Sequence, residues 1–174
     1  MVNTALLYAP KGGNTENAAK RIQTEIGKDK VDLYNVSDLQ KISFEKYKNI
    51  IIGVASISND IWQSNIKTDE VVRLTAFLER MEWKGKTVAI FGLGNAISYP
   101  MNFVDEMGNI SEILISKKAK IVGKVPREGY EFSDSKALYD GKLIGLPLDY
   151  TNEDDKTNDR IKVWVNNLKE FMIF

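Results

Sequence analysis

Residues 5–15, Ala-Leu-Leu-Tyr-Ala-Pro-Lys-Gly-Gly-Asn-Thr, carry an apolar run directly into a glycine-bearing turn, and a helical pattern follows. Gly12 and Gly13 have no Cβ, so the chain can adopt left-handed backbone there and aim several N–H groups at one point. A helix beginning near Asn14 or Thr15 adds its unbonded first-turn amides and the positive end of its dipole, which makes the turn a candidate anion site. Thr15 offers a hydroxyl, Lys11 a charge, and Pro10 neither. The spacing matches neither G-x-G-x-x-G nor G-x-x-x-x-G-K-[ST], so a dinucleotide fingerprint and an ATP-type P-loop both lose support. Taken alone, the turn also reads as a glycine-rich βα connection that binds nothing.

The rest of the chain narrows what such a turn can serve. At 174 residues and 43% hydrophobic content the sequence fits a single domain, 1–174, with enough apolar side chains for a sizeable core. Histidine and cysteine are both absent. That removes disulfides, thiolate nucleophiles, imidazole acid–base chemistry and the usual zinc sites, and leaves any chemistry to a cofactor. Lys plus Arg equals Asp plus Glu at 24 each, so no global field favours nucleic acid or an anionic membrane. The first residues enter a strand with no signal-peptide pattern, and no apolar run approaches the length of a membrane span, from which a soluble cytoplasmic protein is expected.

Four apolar runs, at 3–9, 49–55, 87–93 and 120–125, are continuous rather than alternating, as strands buried on both faces should be. A half-polar run, 31–36, suits an edge strand. Between them lie helical patterns at 14–26, near 43–47, at 67–81 with Val71, Leu74, Phe77, Leu78 and Met81 on one face, at 101–117, and at 157–172. Alternating strand and helix predicts an α/β fold with a parallel sheet, whose ligands sit beyond the carboxyl ends of the strands. Segments 9–15, 56–63 and 94–100 meet at that edge. Residues 126–142 break the rhythm before a second apolar run, 143–148, and the simplest account is one edge strand split by an insertion. The acidic run Glu153-Asp154-Asp155 is expected to cap and charge the last helix.

Several segments then resemble one family in the same order along the chain. They are Phe91-Gly-Leu-Gly-Asn with Tyr99, Phe103-Val-Asp-Glu-Met-Gly108, Glu128-Gly-Tyr-Glu-Phe132, Ser135-Lys-Ala137, Asp140-Gly-Lys142 through Asp149, and Asp159-Arg160-Ile161 through Trp164. The chain resembles long-chain flavodoxins over its whole length. The resemblance implies a flavodoxin-like three-layer fold, with a five-stranded parallel sheet of order 2-1-3-4-5, helices on both faces and a split fifth strand. It implies a low-potential electron carrier with noncovalent FMN, a monomer without nucleic-acid or membrane partners. Single electrons would pass between a flavodoxin/ferredoxin-NADP reductase and an acceptor oxidoreductase. By position, Pro10, Lys11, Gly12, Gly13, Asn14 and Thr15 would hold the phosphate. Ser56, Ile57, Ser58, Asn59, Gly94, Asn95 and Tyr99 would surround the ring, and Trp62 would either fold across it or pack against the 67–81 helix. Tyr99 falls where the family stacks a tyrosine, whose electron-rich face disfavours the charge of fully reduced flavin. The Ser58–Asn59 peptide matches a turn whose carbonyl can meet the flavin N5 in one redox state, and such a differential bond shifts a potential.

The departures from the family gather at the cofactor. Pro10 and Gly12 stand where hydroxyl-bearing residues are usual, with Lys11 as a charged substitute donor. Ile57 stands where many members stack a tryptophan, and Ala96 where a polar residue is common, leaving the backbone of 94–97 to serve the pyrimidine edge. The chain is neutral where flavodoxins are acidic, although 128–159 holds nine acidic residues against Lys136, Lys142 and Lys156. Two other functions share the scaffold: an FMN-dependent NAD(P)H oxidoreductase, which the Pro-Lys-Gly-Gly-Asn-Thr loop also resembles, and a flavin-free binding module.

Overall fold

The structure is a computed structural model that describes residues 2–56 and 65–174, with side chains described outside 65–68. Its main sheet contains β1 (Thr4–Ala9), β2 (Val31–Asn35), β3 (Asn49–Ala55), β4 (Thr87–Leu93) and β5 (Lys120–Val122) in the order β2-β1-β3-β4-β5. The pairs run parallel, with Leu6 opposite both Leu33 and Ile51, and Ile51 opposite Ala89.

The continuous apolar runs are explained by burial on both faces. Ala5, Leu7, Ile50, Ile52 and Val54 point to one layer, where α2 (Asn65–Arg80) packs Val71, Leu74 and Leu78 and α3 (Asp105–Ser116) packs Met107, Ile110 and Leu114. Leu6, Tyr8, Ile51, Ala89 and Phe91 point to the other, against Ala18, Ala19, Ile22 and Ile26 of α1 (Gly13–Ile26) and Ile161, Trp164, Val165 and Leu168 of α4 (Asp154–Leu168). Because period-2 alternation sends neighbouring residues to opposite layers, a strand apolar at every position must be covered twice. The three-layer fold follows from that requirement.

Beyond β5 the chain leaves the sheet and returns. Gly123 adopts φ +80 and ends the strand, which is why the expected run 120–125 stops at Val122. β6 (Val125–Pro126), β7 (Leu138–Tyr139) and β8 (Lys142–Leu143) form a small antiparallel sheet of order β6-β8-β7, and β9 (Leu146–Leu148) then pairs in parallel with the carboxyl-terminal half of β4. The fifth strand is therefore split, with β5 beside Thr87–Ala89 and β9 beside Phe91–Leu93. The apolar run 143–148 is two pieces rather than one, because Gly145 passes so close to the Ile90 carbonyl that a Cβ there would lie 2.0 Å from its oxygen.

Three helix expectations need correction. Residues 42–48 are not helical; a 3-10 helix lies instead at Val36–Lys41. Phe44 and Tyr47 are buried, and Lys86 Nζ donates to both of their carbonyls, at 3.1 and 2.7 Å, so the lysine takes acceptors that a helix would use. α3 begins at Asp105 rather than near 101, because Val104 is left-handed at φ +49. α4 begins at Asp154. Glu153 occupies its N-cap without a side-chain cap bond, since the carboxylate is bound to Lys156 at 2.7 Å and Arg160 at 2.6 Å.

Those ion pairs help to fix the 126–142 segment. Arg160 also donates to the Gly129 carbonyl at 2.9 Å and lies over the Tyr130 ring at 4.1 Å. On the other side, α3 packs so closely that a Cβ on Gly108 would come within 2.4–2.7 Å of the Lys136–Ala137 backbone. Gly108→Ala must push the two apart, and overpacking of this kind costs about 1–3 kcal/mol. Its melting temperature should fall by roughly 2–12 °C, whereas Ile115→Ala, at a half-exposed position on the same helix, should change stability much less; equal losses would remove the packing argument.

Burial pushes the Glu153 carboxyl up, but its hydrogen bonds to Arg160 and Lys156 outweigh that and hold it below the usual carboxylate range. A depressed folded value stabilises the fold above the unfolded value of about 4.3, and the contribution is lost as pH falls through the lower folded value. Glu153→Gln should therefore be less stable than the parent at neutral pH, and urea titrations should show the difference closing as the pH is lowered below about 4.

Candidate functional site

The turns leaving β1, β3, β4 and β9 open onto a cleft of about 670 Å³. Pro10, Gly12, Gly13, Asn14 and Thr15 line one end, Ala55 and Ser56 lie at the end of β3, and Leu93, Gly94, Asn95 and Tyr99 follow β4. Asn102, Asp105, Glu106, Asn109 and Lys136 extend the wall along α3, and Tyr150 and Thr151 close it beyond β9. Of the residues expected at the site from sequence, nine therefore share one cleft: Pro10, Gly12, Gly13, Asn14, Thr15, Ser56, Gly94, Asn95 and Tyr99. Lys11 is exposed and does not line it. Ile57, Ser58, Asn59 and Trp62 lie outside the described residues.

At the phosphate-loop end, Gly12 and Gly13 take φ +78 and +73, and Gly12 is the N-cap of α1. Nothing lies within 4 Å of a Cβ built on either, so it is backbone conformation and not crowding that selects glycine. Gly13, Asn14 and Thr15 open the helix, so their amides belong to its first, unbonded turn, and Thr15 is buried at 3% exposure.

Two amides just before that turn already have anionic partners. Gly12 N donates to Glu16 Oε2 at 2.7 Å, and Lys11 N donates to Glu70 Oε2 at 2.6 Å. Lys20 stands 2.6 Å from the other oxygen of Glu16. The lysine bond first, and the Gly12 amide second, hold Glu16 below the usual carboxylate range. Tyr8, beneath the loop, is pushed up to about 12 by burial and then by Glu16, Asp38 and Glu70.

At the opposite wall a buried carboxylate sets the loop after β4. Asp149, 1% exposed, accepts from Ala96 N at 2.9 Å and from Thr151 N and Asn152 N at 3.1 and 3.0 Å. Asn152 also bonds the Asn95 side-chain oxygen at 3.0 Å, which itself accepts from Ser98 N at 2.8 Å. Tyr99 N returns to the Asn95 carbonyl at 3.0 Å. The Ala96, Ser98 and Tyr99 amides are thus used inside the loop, which narrows the backbone left to meet a ligand edge. Pro100 O accepts from Ser133 N and Asp134 N at 2.8 and 2.9 Å, so the 126–142 segment braces the same loop. Ser56 Oγ accepts from Glu106 N at 3.2 Å and joins the end of β3 to the start of α3.

Sequence reasoning missed the α3 wall and Tyr150. The Tyr150 hydroxyl is buried without a hydrogen-bond partner among the described residues, and Arg21 covers its ring at 5.3 Å. An unmet buried hydroxyl costs about 1–3 kcal/mol. Its signal in the sequence was its place directly after a sheet strand, on the carboxyl edge.

These features suit a slender molecule with an anionic end and a flat aromatic end. First-turn amides and the Thr15 hydroxyl are donors of the kind an anion takes, and Tyr99 offers an aromatic face. An FMN molecule has that chemistry, and the donor set fits it.

Known proteins give the same direction. The sequence profile described as Flavodoxin matches residues 6–164. The flavodoxin of Nostoc sp. is 38% identical over 164 residues, covering 94% of each chain, and flavodoxin 1 of Escherichia coli is 32% identical over 98% of this chain and 94% of its own. Among solved structures, Fusobacterium nucleatum flavodoxin bound to flavin mononucleotide superposes with a TM-score of 0.86 at 25% identity, over 99% of this chain and 100% of the other. With its sheet order, its split fifth strand and these likenesses along nearly its full length, the chain belongs to the flavodoxin family.

Proposed function

We propose that this protein carries single electrons on noncovalently bound FMN and performs no substrate chemistry of its own. The observation that carries the reading is the double positive-φ turn running into α1 at one end of a cleft whose other wall presents Tyr99. Bound there, FMN supplies one-electron redox chemistry at low potential.

The chain's own residues hold and tune it. Gly13, Asn14 and Thr15 present amides and a hydroxyl to the phosphate, with Lys11 adding positive charge from the exposed side of the loop. Tyr99 covers a ring face, and Ser56, Gly94 and Asn95 shape the slot beside it. Ile57, Ser58, Asn59 and Trp62 are proposed to complete the ring pocket from the segment after β3. Asp149 holds the Tyr99 loop in place through backbone amides, so the stacking surface is set before any ligand arrives.

Electron transfer also needs an approach for a partner. Ile97 and Met101, 74% and 60% exposed, flank Tyr99 and give a partner an apolar spot beside the cleft. The partners fitting this role are a flavodoxin/ferredoxin-NADP reductase as donor and an acceptor oxidoreductase, met by a cytoplasmic monomer. Among the described residues no helix is long and apolar enough to cross a membrane.

Purified protein should show flavin absorption bands, or gain them on titration of apoprotein with FMN, and no binding at micromolar FMN would overturn the reading. Given binding, Tyr99→Ala should weaken FMN by roughly two- to thirteenfold, the equivalent of a lost stacking contribution of about 0.5–1.5 kcal/mol. It should also raise the potential of the second one-electron reduction, read by redox titration. An unchanged potential would remove Tyr99 from the tuning of the flavin.

A further inference from the structure

The carboxylate of Glu70 holds an amide of the turn between β1 and α1. Its Oε2 accepts from the Lys11 amide at 2.6 Å across 59 residues of sequence, tying α2 to the turn after β1. The same oxygen meets Asn35 Nδ2 at 3.5 Å. Asn35 is only 4% exposed and is fixed by donating to the Tyr8 carbonyl at 3.2 Å and accepting from Ser37 N at 3.0 Å. Glu70 thus reaches from α2 to the end of β2 as well as to the turn after β1.

Glu16, the other acid on this loop, differs in one respect. Its bond to Gly12 N is accompanied by Lys20 at 2.6 Å, which offsets its charge. Glu70 makes no ion pair within 4.0 Å among the described residues. Among the described residues no cation offsets its charge within 4.0 Å, and it sits on an amide two residues ahead of α1.

We propose that Glu70 is a specificity-determining residue, which competes with the ligand's phosphate for the Lys11 amide and so lowers the preference for phosphorylated over unphosphorylated flavin. The inference rests on the flavin reading above. A phosphate in the loop either displaces the carboxylate from Lys11 N or forgoes that donor and faces a second anion. Both outcomes penalise FMN and leave riboflavin, which has no phosphate, untouched. The ring wall around Tyr99 is on the far side of the cleft and does not enter the comparison.

The test is to titrate FMN and riboflavin separately into parent, Glu70→Gln and Glu70→Ala apoproteins, following the quenching of flavin fluorescence. Glu70→Gln keeps an acceptor for Lys11 N but removes the charge, and it should bind FMN roughly five- to thirtyfold more tightly with riboflavin affinity within about twofold of the parent. Glu70→Ala, which removes charge and acceptor together, should move FMN in the same direction. The gain should shrink with added salt, because a charge at this exposed loop is screened. Parent protein that binds both flavins, with FMN unchanged or weakened in both variants, would overturn the role of Glu70 and leave the flavin reading intact. Equal tightening of FMN and riboflavin would also overturn it, since the effect would not reside at the phosphate. Failure of the parent to bind either flavin would instead overturn the flavin reading, and this inference with it.

Discussion

Because β1, β3 and β4 pair in parallel and are covered on both faces, each connection must cross a layer before the next strand begins, and every turn leaving a carboxyl end emerges on one edge of the sheet. That geometric constraint brings together segments distant in sequence. Pro10 with Gly12–Thr15, Ala55 with Ser56, Leu93–Asn95 with Tyr99, and Tyr150 with Thr151 meet in one cleft without any of them having to fold toward another. The apolar content of the strands is thus the cause of the site, although no strand residue except at the ends touches it. Gly53 shows how tightly this is enforced, since a Cβ there would lie 2.0 Å from the Phe91 ring on the neighbouring strand.

Two kinds of electrostatics then divide the cleft. On the β4 side, one buried carboxylate, Asp149, is fully employed in holding backbone amides, and its charge stiffens a loop. On the β1 side, carboxylates sit on backbone amides of the turn before α1, one paired with Lys20 and the other with no ion pair among the described residues. The same bond type serves as scaffold at one end and, in the role proposed for Glu70, as competitor at the other. What separates the roles is burial: Asp149 is withdrawn from solvent and multiply bonded, while the bonds at Lys11 and Gly12 are exposed and exchangeable.

The framework and much of the cleft were legible in the sequence because they depend on short-range rules. Continuous apolar runs mark doubly covered strands, and adjacent glycines ahead of a helix mark a turn with positive φ. Features that depend on distant partners were not legible. The 43–47 segment looks weakly helical locally, but Lys86, some forty residues on, binds its carbonyls. The run 143–148 looks like one strand until Gly145 has to pass the Ile90 carbonyl. Tyr150 gave no sign in the sequence that its hydroxyl would be buried unpaired, and the pairing of Lys11 with Glu70 links α2 to the turn after β1. Lys11 itself illustrates the limit: its side-chain charge was visible, whereas the partner of its amide was not.

The segment 126–142 also has a mechanical reading that its sequence alone conceals. It is tied at three places, to α4 through Arg160 and Glu153, to α3 through the close approach at Gly108, and to the loop after β4 through the Pro100 carbonyl. Ser135 adds a fourth tie by donating to the Phe103 carbonyl at 2.5 Å, next to the left-handed Val104. A β-branched residue in that conformation is strained, and strain persists only where surrounding bonds over-determine the backbone. The ties from Ser133, Asp134 and Ser135 fall on either side of the turn between Tyr99 and α3, so the insertion supplies that over-determination. An electron carrier gains where the groups around its redox centre are held in place as charge is added, and the braced loop between Tyr99 and α3 is built in that manner.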